Sequence, residues 1–201
     1  MPGIIRIKIK SDWHDWRTQL AGAHEEIANG IYRSIFPLAE GCENVEVTKN
    51  DAMARYDWKE GIDVILETVN STRMTLQEKY LTFYDSTVTF EERKTSGEPG
   101  AWYYCTAQYY FVGYTRQYWD YKNRKLYQNP IIDFQDYILL DLAGLHRADE
   151  GGLIDWEYNK NAKDNRRASF RFIKFDNAPH NCVIAQYKKV GPQLTFTLDT
   201  H

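Results

Sequence analysis

The residues of this chain best suited to chemistry are Asp63 and the triplet Gln77-Glu78-Lys79. Asp63 lies in a β-rich run, Gly61-Ile62-Asp63-Val64-Ile65-Leu66-Glu67, and the triplet sits within a second run from Arg73 to Phe83. Asn70-Ser71 between them is a good turn pair, so the two runs read as a β-hairpin. Side chains alternate between the faces of a strand, so Gln77 and Lys79 point one way and Glu78 the other. A turn centred near Asn70 is equally far from Asp63 and Gln77, which sets those two side by side. A carboxylate, an amide oxygen and an ammonium on one face suit phosphodiester hydrolysis. Asp63 can hold a hard divalent cation, Mg2+ or Mn2+, with the Gln77 carbonyl and the Glu78 backbone carbonyl as further oxygen ligands. Such a metal generates hydroxide and offsets the charge building on the phosphate. Lys79 can orient the water or stabilise the transition-state oxyanion.

Several elements must position these groups. A helix is expected from about Asp12 to Phe36, capped by Ser11 or Asp12 and stopped by Pro37. His24, Ile27, Ala28, Ile31 and Ile35 recur on one face of it. Gly41 to Asn50 reads as a short strand, and Thr82 to Phe90 as a continuation of the hairpin's sheet. Thr95 to Gly100 is a loop, and Ala101 to Tyr114 reads as an aromatic helix with Tyr104, Gln108 and Phe111 on one side. Ile131 to Leu142, Ala168 to Phe175 and Cys182 to Tyr187 read as strands. The fold class is therefore α/β or α+β. We read the chain as one domain, with a core over about 12–142 and C-terminal strands from 168–198 added to it.

Gly61-Ile62-Asp63, followed by Gln77-Glu78-Lys79, resembles the core motif of the PD-(D/E)XK nuclease superfamily. The resemblance covers about residues 12–111. It implies a restriction-endonuclease-like core: a helix, a three-stranded meander, a helix and a further strand, with a central mixed sheet flanked by helices. It also implies a metal-dependent deoxyribonuclease in which Asp63, Gln77 and Lys79 carry the reaction. The family's proline before the aspartate is Ile62 here, and its acidic residue is Gln77, a variant similar to the Mrr-like branch. An alternative register makes Glu78 the acid, but then Glu78 and Lys79 face opposite ways. RecB-like members place a His or Glu on the first helix, aimed at the metal. By that resemblance His24 is the candidate further ligand, preferred over Glu25 and Glu26, and Gln108 is a candidate for reaching the site from the second helix.

Two basic clusters could grip a DNA backbone. One contains Arg116, Lys122, Arg124 and Lys125; the other contains Lys160, Lys163, Arg166 and Arg167. Acidic neighbours such as Asp120 and Asp164 make an ordinary solvated face the competing reading. The stretch from Trp102 to Tyr127 interleaves tyrosines, Tyr103 and Tyr104 among them, with cations, as a stacking surface for single-stranded or branched DNA would. The same residues could form a protein interface. An exposed hairpin with charges on its wet face is the plain alternative to the nuclease site. A non-catalytic nucleic-acid-binding module and an oligomeric, viral-type assembly protein stay open beside it.

Composition bounds all of these. The chain has 201 residues, 43% hydrophobic and 26% charged, which suits one soluble domain. Its 15 Tyr, 9 Phe and 6 Trp exclude a disordered chain. A net charge of -3 excludes a strongly basic nucleic-acid coat protein. No apolar run approaches the ~20 residues of a membrane span, and charges interrupt the start of the chain, so no signal peptide is expected. Cys42, Cys105 and Cys182 form no C-x-x-C pair, so a reduced intracellular protein is the expectation.

Overall fold

A computed structural model of the chain describes residues 3–7, 16–36, 43–47, 60–67, 73–81, 86–115, 119–120, 125–126, 133–159 and 168–188. The two runs read as a hairpin pair with each other, while the Asn70-Ser71 turn lies outside the described residues. Strands β1 (Gly3–Ile7) and β2 (Glu43–Val47) lie at one side of a mixed sheet, with helix α1 (Trp16–Ile35) between them in sequence. Strands β3 (Val64–Glu67) and β4 (Arg73–Leu81) pair antiparallel, with Val64 opposite Leu76. That is the register expected from a turn centred near residue 70.

Strand β5 (Thr87–Arg93) does not continue this sheet. It pairs with a different strand, from Ser169 to Lys174, in a second sheet. The expected helix from Ala101 to Tyr114 is one turn of helix, α2 (Ala101–Tyr104), followed by strand β6 (Tyr109–Tyr114). Helix and strand cannot be told apart by period in so short an apolar run. Here burial decides: β6 lies inside the sheet, parallel to β4 on one side and antiparallel to a later strand on the other. Phe111 and Val112 are fully buried on opposite faces, so no polar alternation marks the strand. Gly113 lacks a side chain because the Phe134 ring occupies that space; a Cβ there would lie 2.5 Å from it.

The remaining elements are the two-residue strands β7 (Trp119–Asp120) and β8 (Lys125–Leu126), strand β9 (Asp136–Asp141), helix α3 (Leu142–Glu150), and strands β10 (Glu157–Asn159), β11 (Ser169–Lys174) and β12 (Val183–Lys188). Helix α3 lies beyond the elements expected from the sequence, because it begins where the apolar run of β9 ends. The fold is mixed α/β. Its main sheet has the order β12-β9-β6-β4-β3-β1-β2, and a second sheet has the order β10-β11-β5.

Two apolar clusters fill the spaces between layers. On one face of the main sheet, Ala28 and Tyr32 of α1 pack with Val64, Leu66, Leu76, Phe111 and Leu139. The α1 face read from the sequence is the one used: His24 and Ala28 are buried, and Ile27, Ile31 and Ile35 pack on the same cluster. On the other face, Ile65, Tyr110, Val112, Ile138 and Leu140 pack against Val88, Phe90 and Ile173 of the second sheet and against Trp102 and Leu145 of α2 and α3. Each fully buried large side chain contributes roughly 1.5–3 kcal/mol. No helix among the described residues is long and apolar enough to cross a membrane.

Candidate functional site

Asp63 precedes β3 and is tied into the hairpin by its own backbone, whose N–H donates to Leu76 O at 2.8 Å. Its carboxylate lies against the triplet. Oδ2 accepts from Gln77 Nε2 at 2.5 Å and from the Glu78 backbone N–H at 2.7 Å. Lys79 points to the same face of β4 as Gln77. Its ammonium donates to the Thr89 carbonyl of β5 at 3.2 Å and lies 5.7 Å from the centre of the Phe170 ring. Burial lowers the Lys79 pKa below the ordinary lysine value, and the charge of Glu91 opposes that shift. The three residues singled out by spacing therefore share one face, under the second sheet.

Gly61 explains how Gln77 fits. Its φ of +60° is left-handed, and a Cβ there would meet Gln77 Oε1 at 2.8 Å and Cys105 Sγ at 3.1 Å. The thiol of Cys105 donates to Gly61 O at 3.2 Å and lies 3.9 Å from Gln77 Oε1. Burial pushes that thiol up to about 11. Tyr110 stands opposite Gln77 in the β4–β6 pairing, and its hydroxyl donates to the Thr89 carbonyl at 2.9 Å. Burial first, then the nearby Cys105 and Asp63, pushes the Tyr110 hydroxyl well above its usual range. Cys105 and Tyr110 are the site neighbours that sequence reading missed. The parallel β4–β6 pairing brings in Tyr110, and bonds from Cys105 and Thr106 to Gly61 and Glu60 bring in Cys105; the helix assignment of 101–114 hid both.

His24 is placed elsewhere. It is buried on the α1 side of the sheet, with Nε2 3.1 Å from Thr115 Oγ1 and its ring stacked 4.9 Å from Tyr80 and 5.6 Å from Phe134. Tyr80 faces α1, opposite to Lys79, so the sheet separates His24 from Asp63. The expectation that it aims at the same ion as Asp63 and Gln77 does not match this placement. Glu78 also faces α1, where the Tyr32 hydroxyl donates to its Oε1 at 2.6 Å. Its side chain is thus turned away from Lys79, and only its backbone reaches Asp63.

Gln108 is not on a second helix. It lies just before β6, where its Oε1 accepts from the Thr75 N–H and its own N–H donates to Thr75 Oγ1, both at 3.0 Å. It fastens β6 to the start of β4 and is not in contact with Asp63. Arg116, Lys122, Arg124, Arg166 and Arg167 lie outside the described residues.

The donor set can be tested against a divalent ion. Asp63 offers one carboxylate, Gln77 one amide oxygen and Glu78 one backbone carbonyl, 3.5 Å from Gln77 Nε2. Mg2+ is commonly held by one or two carboxylates with several waters retained, which this number of oxygens allows, but the groups that face Asp63 Oδ2 are the N–H donors of Gln77 and Glu78. A half-turn of the Gln77 amide would present Oε1 to the Asp63 side, and the Cys105 sulfur can face either end because a thiol is both a weak donor and a weak acceptor. Among the described residues there is no group of three or more His, Cys, Asp or Glu side chains that could hold a metal ion. No family model, no curated protein and no solved structure matches this chain.

Proposed function

We propose that this chain is a metal-dependent nuclease that hydrolyses DNA phosphodiester bonds through a site resembling that of the PD-(D/E)XK superfamily. The observation that carries the reading is the in-register contact of Asp63 with Gln77, with Lys79 on the same face at the centre of a mixed sheet. A helix before the β3–β4 hairpin, and a strand β6 parallel to β4, are consistent with a restriction-endonuclease-like core.

Asp63, the Gln77 carbonyl and the Glu78 backbone carbonyl would hold Mg2+ or Mn2+. When bound, the ion supplies charge stabilisation and a more acidic water. Lys79 sits two residues along β4 from Gln77, where its ammonium can leave the Thr89 carbonyl for a phosphate oxygen. Its lowered pKa makes its proton easier to give up than that of a solvated lysine. Gly61 and Cys105 hold the Gln77 amide against Asp63.

The test is nicking of plasmid DNA with Mg2+, with Mn2+ and with EDTA, for the native chain, Asp63→Ala and Lys79→Ala. Metal-dependent cleavage lost in both variants supports the reading; cleavage unchanged in both removes the site. A second reading is favoured by one feature: Asp63 Oδ2 already accepts two N–H groups, and Lys79 already has a carbonyl partner. That pattern suits a non-catalytic nucleic-acid-binding module. Calorimetry separates the two, since DNA binding without any divalent-ion binding would favour the module.

A further inference from the structure

A cleft of about 490 Å³ opens on the second layer, lined by Glu92, Arg93, Gly97, Pro99, Tyr103 and Ser169. It is shallow and open to solvent, a surface for a flat group to lie on rather than an enclosing cavity. Tyr103 is 59% exposed, an unusual placement for a large ring. Its hydroxyl is nevertheless tethered, because the buried Arg171 donates to it at 3.2 Å. Arg171 also donates to Glu92 at 2.9 Å and to Asp149 at 3.0 Å, and its guanidinium lies 4.8 Å from the Trp102 ring centre and 5.4 Å from that of Trp156. The wall of the cleft is thus an aromatic face pinned from behind. Holding it in place adds little entropy cost on binding, which is what a stacking surface needs.

Arg171 is shared between Glu92 and Asp149, and the exposed Arg93 adds a second cation at the rim, so there is one positive charge for each carboxylate. The turn from Lys94 to Gly100 closes the far side, with Arg93 bridged to Pro99 and Gly97 at φ +89°. A planar ring, a rigid partner face and one cation beside it fit a nucleobase followed by its phosphate. The cleft also shares its scaffold with the Asp63 site. Strand β5 carries both Thr89, the Lys79 partner, and Arg93, about 13 Å further along the strand. Helix α2 carries Tyr103 two residues before Cys105.

We infer that this cleft is a binding site for an unpaired base of single-stranded nucleic acid, stacked on Tyr103 with its phosphate at Arg93. This deepens the nuclease reading by naming the substrate form, and it rests on that reading for the polymer's identity.

The experiment is fluorescence anisotropy in EDTA, so that no cleavage intervenes, with a short fluorescein-labelled oligothymidylate and an abasic oligomer of equal length. Tyr103→Ala weakens oligothymidylate binding by roughly tenfold or more and leaves the abasic oligomer unchanged. Tyr103→Phe, which keeps the ring but loses the Arg171 tether, binds between the native chain and Tyr103→Ala. Arg93→Gln flattens the dependence of log K on log salt by about 0.7. Equal affinity of native and Tyr103→Ala protein for oligothymidylate overturns the inference, as does equal weakening toward the abasic oligomer. These outcomes are independent of the Lys79→Ala nicking result, so the cleft can fail while the hydrolytic site stands, and the reverse.

Discussion

Replacing Gln77 with glutamate puts a second carboxylate against Asp63. In the native chain the amide donates to Asp63 Oδ2 at 2.5 Å. Gln77→Glu removes that donor and sets two negative charges in its place. Even if the two groups relax to about 4 Å, repulsion at an effective dielectric of about 20 is about 4 kcal/mol. The pair can escape by keeping one proton, which at about pH 7 costs a glutamate of ordinary pKa about 3.7 kcal/mol. Either route destabilises the variant by about 3–4 kcal/mol without metal, before discounting for the partial exposure of both groups. At about 2–4 °C per kcal/mol for a chain of this size, Tm falls by roughly 10 °C.

The sign with pH follows. The neighbouring Asp63 charge raises the folded-state pKa of the introduced carboxyl above its unfolded value, so the penalty is absent below the unfolded pKa and grows as pH rises toward the folded one. A divalent ion offsets the same repulsion. Thermal melts of native and Gln77→Glu protein, in EDTA and in Mg2+ or Mn2+, at about pH 5 and about pH 7.5, check all of this. In EDTA the variant melts well below native at the higher pH and only slightly below it at the lower, where about 1 kcal/mol of the penalty remains, and metal restores it. If it melts with the native protein in EDTA at both pH values, residues 63 and 77 are not in contact and the site geometry is wrong.

Three further outcomes follow from the same structure. His24→Phe keeps a ring stacked between Tyr80 and Phe134 and leaves divalent-ion affinity, read by calorimetry, unchanged; a fall of tenfold or more would place His24 among the ligands after all. Cys105 has a thiol pushed up to about 11 from an ordinary 9.0, so its thiolate fraction at about pH 8 is roughly a hundredfold below that of an ordinary thiol. Iodoacetamide labelling followed by peptide mass spectrometry should find it correspondingly slow and accelerating up to about pH 11; labelling as fast as a free thiol would mean that it is not buried against Gln77. Arg171→Met leaves Glu92 and Asp149 without their shared cation and costs about 3 kcal/mol in urea unfolding; a loss below about 1 kcal/mol would mean that Arg171 does not join the second layer's elements.

The parts of this fold that were legible in the sequence are those governed by local rules. Strand parity placed Gln77 with Lys79, and the distance of Asp63 and Gln77 from the turn placed them side by side, because hairpin register depends only on the turn and the alternation. The α1 face was legible from its period. What failed was non-local. Tyr109–Tyr114 is buried on both faces, so it carries no alternation that would distinguish a strand from a helix. Thr87–Arg93 has good strand chemistry, but which strand it pairs with is decided by β11, about eighty residues away.

The side of the sheet that α1 covers was the costliest omission, and there a signal existed. Three of the four apolar residues of β4, Met74, Leu76 and Tyr80, have the parity opposite to that of Gln77 and Lys79; only Leu81 at its end shares theirs. An amphipathic helix packs on that apolar face, which puts His24 behind the sheet rather than over Asp63. Tyr110 reaches the site through the parallel β4–β6 pairing and Cys105 through its bond to Gly61 O, both long-range contacts that a single sequence does not specify.

The central claim is that Asp63 and Gln77 hold a divalent ion beside Lys79. An anomalous difference map from a crystal soaked in Mn2+ tests it most directly. One peak is expected within ligand distance of the Asp63 carboxylate and the Gln77 side chain, on the Lys79 face of β4. No peak there, or a peak on the α1 face at His24, would contradict it.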